Sequence, residues 1–130
     1  MYTKTTNNIK VTVLPHYLDQ QSEPEEDKYF WAYTIQVENH SKETFTLVNR
    51  YWHITDDRGR SQEVRGEGVV GEQPILRPGD AFQYTSGVPL NTPSGIMVGE
   101  YEMLSETGDK IQVAVPAFSL DSPFGSAKPN

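Results

Sequence analysis

Residues 29–38 read Tyr29-Phe30-Trp31-Ala32-Tyr33-Thr34-Ile35-Gln36-Val37-Glu38. Tyr29, Trp31, Tyr33, Ile35 and Val37 alternate with Phe30, Ala32, Thr34, Gln36 and Glu38. Period two with aromatic and β-branched residues describes a strand half-buried on one face. The stretch lies in residues 25–58, a long run free of both proline and glycine. A helix would have room there, yet the pattern is not helical.

Working outward, Asn39-His40-Ser41-Lys42 is turn-like, and a second strand runs from about Thr44 to Asp56. Its apolar phase changes: Phe45 and Leu47 fall on one face, Trp52 and Ile54 on the other. A β-bulge near Asn49-Arg50 would bring both pairs into one core. Asp56-Asp57-Arg58-Gly59 is a turn, and Arg60 to Val64 returns as a short strand. In Leu76-Arg77-Pro78-Gly79-Asp80, proline at the second turn position and glycine at the third suit a type II turn. Residues 81–87 alternate, with Phe82 and Tyr84 inward, and Asn91-Thr92-Pro93-Ser94-Gly95 is the next break. Met97, Tyr101 and Met103 share one face of a strand over 96–105. A hairpin turn at Thr107-Gly108-Asp109 leads to Ile111, Val113 and Val115. Pro116 marks an edge position or a bulge. A strand over 9–18 completes the set.

About seven or eight short strands with frequent turns predict an all-β fold. The expected architecture is an antiparallel two-sheet β-sandwich, immunoglobulin-like or fibronectin-type-III-like, with a closed barrel as the alternative. Trp31 or Trp52, or both, is expected in the core with Tyr33, Ile35 and Tyr101. Residues 1–121 form one domain, and 122–130, rich in Pro, Ser and Gly, form a flexible tail. Glu23-Pro24-Glu25-Glu26-Asp27 is an acidic loop, solvated or a cation site.

The bulk numbers narrow the function. The chain has 130 residues, 18 acidic against 11 basic side chains and a net charge of −7. Such a surface repels phosphate backbones, so no nucleic-acid partner is expected. There is no cysteine, which removes disulfides, thiolate zinc sites and cysteine nucleophiles. No apolar run approaches the ~20 residues that span a bilayer. The N-terminus lacks an apolar signal core, so a cytoplasmic protein without membrane insertion is expected.

Gly66-Glu67-Gly68-Val69-Val70-Gly71 has the GxGxxG spacing of a nucleotide-binding loop. Such a loop follows a strand and opens a helix. Here Pro74 and Pro78 interrupt any helix, and Glu67 and Glu72 bring negative charge where a phosphate would sit. The glycines are therefore read as shaping a loop between strands. A kinase-type glycine loop also joins two strands, but it needs a following lysine strand and a catalytic lobe.

Other chemistry is thin. His16, His40 and His53 lack metal-ligand spacing, and Asp56-Asp57 lacks that of a calcium loop, so no metal site is expected. There is no GxSxG elbow, and Ser86 reads as a strand-end hydroxyl. Neither an enzyme nor a cofactor is expected. Tyr29-Phe30-Trp31 and Tyr51-Trp52-His53 each place aromatic rings on both faces of a strand. The exposed rings form a recognition patch, or loops cover both faces.

The segments Trp52-His53-Ile54-Thr55-Asp56, Val64-Arg65-Gly66-Glu67-Gly68-Val69-Val70-Gly71-Glu72-Gln73-Pro74, Tyr84-Thr85-Ser86-Gly87, Thr92-Pro93-Ser94-Gly95 and Pro116-Ala117-Phe118-Ser119-Leu120 closely resemble the bacterial ApaG family. The resemblance runs from about Val11 to Leu120; the acidic loop at Glu23–Asp27 is outside the pattern. It implies a fibronectin-type-III-like sandwich and a genetic association with cobalt resistance and magnesium efflux. The same domain in eukaryotic F-box proteins and a polymerase-delta-interacting protein implies a protein-interaction module. The family's glycine motif carries over onto Gly66, Gly68 and Gly71.

Two functions follow. The first is a non-enzymatic interaction domain for an unknown protein partner, using the glycine loop and nearby aromatics. The second is a small-anion binder that holds pyrophosphate or a nucleotide on the loop amides, with Arg50, Arg65 or Arg77 supplying charge. The candidate partner- or anion-binding residues are Arg65, Gly66, Gly68, Gly71 and Arg50.

Overall fold

A computed structural model describes residues 1–124. The strands, in chain order, are β1 (Tyr2–Thr6), β2 (Ile9–Tyr17), β3 (Tyr29–Asn39), β4 (Phe45–Asp56) and β5 (Ser61–Glu67). They continue with β6 (Ile75–Leu76), β7 (Ala81–Leu90), β8 (Gly95–Ser105) and β9 (Lys110–Leu120). One sheet has the order β1-β2-β3-β7. The other has the order β5-β4-β8-β9, with β6 pairing beside β4. All pairings are antiparallel. The result is a fibronectin-type-III-like sandwich and not a closed barrel. Among the described residues the helical content is one 3-10 turn at Pro24–Glu26, within the acidic loop. Among the described residues no helix is long and apolar enough to cross a membrane.

β3 keeps strict alternation from Tyr29 to Asn39, every second residue buried. Trp31 and Trp52 are both in the core, with Tyr33, Ile35 and Tyr101. The Trp52 indole meets the rings of Tyr33, Phe118 and Tyr101 at centroid distances of 5.5, 6.0 and 6.5 Å. Trp31 Nε1 donates to the Asp121 carbonyl at 2.8 Å, which satisfies a buried polar atom.

The phase change in β4 is a bulge, placed slightly earlier than the sequence suggested. Leu47 pairs with Met103 and Asn49 with Glu102, so Val48 is the extra residue. Phe45, Leu47, Trp52 and Ile54 all enter one core as a result. Pro116 satisfies both readings of its position. It lies on an edge strand, and the register slips there, because Gly99 pairs with Val115 while Met97 pairs with Phe118.

Four sequence expectations need correction. β1 was missed; its hairpin to β2 turns on Asn7 and Asn8, at φ 48 and 66. Asparagine tolerates that left-handed region, which was the readable signal. β5 and β7 run further than expected, to Glu67 and Leu90, so Gly66 is a strand residue. The two aromatic triplets lie in different sheets, so Phe30 and Tyr51 face away from each other on opposite sides of the sandwich and form no common patch. Ser122, assigned to the tail, is buried and donates to the Pro93 carbonyl at 2.6 Å. The remaining tail, residues 125–130, lies outside the described residues.

Candidate functional site

The bulge and the glycine loop form one unit. The extra residue turns the Val48 carbonyl toward the loop, where it accepts from Gly68 N at 2.8 Å and Gln73 Nε2 at 3.0 Å. Leu47 N donates to the Pro74 carbonyl at 3.0 Å and closes the other end. Between them Val69 N donates to the Glu72 carbonyl and Glu72 N to that of Val69. Val70 and Gly71, at φ 43 and 80, make the tip. These are the angles of a type I′ turn. The Val69 side chain is fully buried and pins the loop to the core, while Val70 is 52% exposed.

Gly68 is fixed by sterics. It has φ 61, and a Cβ there would lie 2.1 Å from the Glu72 carbonyl oxygen. Gly66 is fixed by a neighbour. It pairs across the ladder with Arg50, and a Cβ would lie 2.8 Å from both Nη1 and Nη2. Gly71 has open space around it.

Arg50 follows the bulge and shares the core-facing phase of Trp52 and Ile54. Its guanidinium lies flat on Gly66, and Nη1 donates to the carbonyls of Glu67 and Gly68, each at 3.0 Å. The loop therefore turns carbonyl oxygens toward a cation, and the amides of Gly68, Val69 and Glu72 are already bonded within the fold. Burial raises the hydroxyl pKa values of Tyr33, Tyr84 and Tyr101, and the nearby charge of Arg50 opposes the shift in each. The hydroxyls of Tyr84 and Tyr101 share a short hydrogen bond in the core.

Arg50 and Arg65 also line an open cleft of about 530 Å³ on the five-stranded sheet, with Tyr51, Glu67, Glu100 and Glu102. Arg65 stacks on the Tyr51 ring at 4.3 Å and pairs with Glu63 at 3.5 Å. Glu102 accepts from Asn49 at 2.8 Å. Arg77 pairs instead with Asp80 at 3.5 Å, apart from the cleft. The structure brings Arg50, Arg65, Gly66 and Glu67 together, with Gly68 directly behind Arg50. Sequence reasoning missed Val48, Gln73 and Val70. Val70 carries no local signal for its positive φ.

Among the described residues no three His, Asp or Glu side chains converge as a metal site. His16, His40 and His53 stand on separate strands and turns. Ser86 lies within β7 opposite Tyr33 and is half-buried.

The family model of the ApaG domain matches residues 19–105. A protein named ApaG from Rhodospirillum centenum is 58% identical over 130 residues, all of both chains. Its namesake from Paramagnetospirillum magneticum is 57% identical over the same span. The crystal structure of an ApaA protein from Bordetella pertussis is 44% identical with a TM-score of 0.86, and the match covers 89% of this chain and 94% of that one.

Proposed function

This chain belongs to the ApaG family, and from that premise we propose that it is a non-enzymatic, cytoplasmic protein-interaction domain whose contact surface is the glycine loop. The observation that carries this reading is the loop's tip. Val70 is β-branched, exposed and held at φ 43. Such a conformation costs of order 1–3 kcal/mol and persists only where its surroundings impose it. The bulge, Arg50 and the buried Val69 impose it here, and present an apolar side chain to solvent. The association with cobalt resistance and magnesium efflux implied by the family resemblance would then run through the partner.

The carbonyl-lined underside of the loop supports this reading over a phosphate cradle, which needs free amides. Capture of a partner by the intact protein, weakened by Gly68→Ala, is the expected result, with flat calorimetric titrations of ATP, pyrophosphate and Co²⁺. One observation favours the second reading, a small anion. Arg50 Nη2 and Nε have no hydrogen bond among the described residues, and Arg50 lines the same cleft as Arg65. Glu67, Glu100 and Glu102 in that cleft weigh against it. Saturable pyrophosphate binding lost in Gly68→Ala would overturn the interaction reading in favour of the anion.

A further inference from the structure

An open sandwich has four sheet edges, and unpaired edges invite strand addition unless they are short, charged, bulged or covered. Three edges here are protected. β1 is short and carries Lys4. β5 carries Glu63, Arg65 and Glu67. β9 is bulged at Pro116-Ala117, and β1 covers it: Thr6 Oγ1 accepts from Ala114 N and the Tyr2 hydroxyl from Ser119 N, each at 3.3 Å.

β7 has almost none of these devices. Its sequence, AFQYTSGVPL, contains no charge. Its register with β3 is unbroken from Tyr29↔Leu90 to Glu38↔Ala81. Among the described residues nothing outside β3 hydrogen-bonds to its backbone. Its one guard is Pro89, near the end. The flanking surface is also unfinished. The core-facing side chains Phe82 on β7 and Val64 on β5 stay half-covered although they pack on the core. A depression of about 350 Å³ opens between the two strands, lined by Ile54, Pro89 and Leu90 together with the polar Asp56, Arg60 and Gln62.

From this we infer that β7 is a docking edge for an extended segment of a partner polypeptide, added antiparallel or parallel as a fifth strand of the β1-β2-β3-β7 sheet. Main-chain hydrogen bonds hold such a segment, and alternate side chains give it specificity. The fitting segment has apolar residues at alternate positions, to cover Phe82 and Val64, and basic residues at its flanks. The basic flanks follow from the net charge of −7. The same charge disfavours a second copy of this chain, which would set two acidic bodies edge to edge. This edge is separate from the glycine loop and goes beyond the function proposed above.

The test pans a library of random linear peptides on the full chain and maps the enriched peptides by amide hydrogen exchange. The expected binders alternate apolar residues between basic flanks and protect the amides of β7. N-methylation of alternate peptide amides should weaken binding roughly tenfold or more, since main-chain bonds supply the affinity. Gln83→Lys, at an exposed position, should weaken it about as much without lowering the melting temperature. Gly68→Ala should leave it unchanged. The inference is overturned if no peptide is enriched, if protection falls elsewhere, or if N-methylation has no effect. A concentration-dependent dimer that protects β7 would replace the partner with a second copy. Binding lost in Gly68→Ala but kept in Gln83→Lys would assign the peptides to the glycine loop.

Discussion

Two cross-strand pairs on β4 use one packing device and reach different ends. Trp52 faces Gly99 on β8, and Arg50 faces Gly66 on β5. In each pair the glycine leaves room for a flat group. A Cβ on Gly99 would lie 2.4 Å from Trp52 Cε3, and one on Gly66 lies 2.8 Å from Arg50 Nη1. The second sheet closes over Trp52, which is 3% exposed and ringed by Tyr33, Tyr101 and Phe118. Arg50 is at the open rim, where its partners are the carbonyls of a loop. The same sterics build a core in one place and a presented loop in the other. What differs is whether another layer covers the pair.

The largest expected effect is on the covered pair. Trp52→Ala should cost ~3–5 kcal/mol, read as a shift of the urea midpoint. A negligible shift would place Trp52 outside the core and dissolve the contrast.

The same covered region predicts an alkaline limit. Burial raises the Tyr84 and Tyr101 hydroxyls above their ordinary value of 10.0. Below that value both tyrosines are neutral in folded and unfolded chains, so their contribution is fully present. Above it the unfolded chain ionises first, and stability is lost as pH rises through the folded-state values. Urea midpoints measured across this range should fall in the wild type and fall less in Tyr84→Phe. Equal falls in both proteins would remove Tyr84 from the explanation.

The two glycines give a direct comparison of smaller size. Gly99→Ala should cost about 1–3 kcal/mol, because the Trp52 ring is wedged and the Tyr51 carbonyl lies 2.7 Å from the new Cβ. Gly66→Ala should cost less, because the atoms nearest the new Cβ all belong to the far end of the flexible Arg50 side chain and none is backbone. Its effect should appear as a loosened loop, seen in faster exchange of the Gly68 amide. Equal thermal shifts for the two variants would show that the rim is packed as tightly as the core.

Much of the core was legible before the structure. The alternation through Tyr29–Val37 and the phase change in Phe45–Ile54 placed both tryptophans and called for a bulge. Those signals are local and repeat along the chain. The pairing of Gly99 with Trp52 was not legible, because it depends on which strand lies beside β4. The failed aromatic patch has the same origin: β3 and β4 follow each other in sequence but belong to different sheets. The glycines of the loop were visible, and so was Arg50 as a candidate. That Arg50 faces the loop's carbonyls was hidden, because the bulge at Val48 reverses its direction. The protection of three edges and the bareness of β7 emerge only from the assembled order of strands.

The smallest effect concerns the loop tip, and it has the opposite sign. Val70 is at φ 43, where a β-branched side chain crowds its own backbone, and half of its surface is in solvent. Asparagine tolerates that region because its short polar side chain bonds locally. Val70→Asn should therefore stabilise the protein by about 1 kcal/mol, or a few degrees in melting temperature. The substitution also removes the apolar tip. If the tip is the contact surface, partner capture should weaken while stability rises, and the two readouts part company. In the covered region no such separation is expected, because Trp52→Ala lowers both together. A drop in melting temperature for Val70→Asn would mean that the Val70 side chain packs usefully where it stands. The loop would then be a second piece of core, and its exposure would say nothing about a partner.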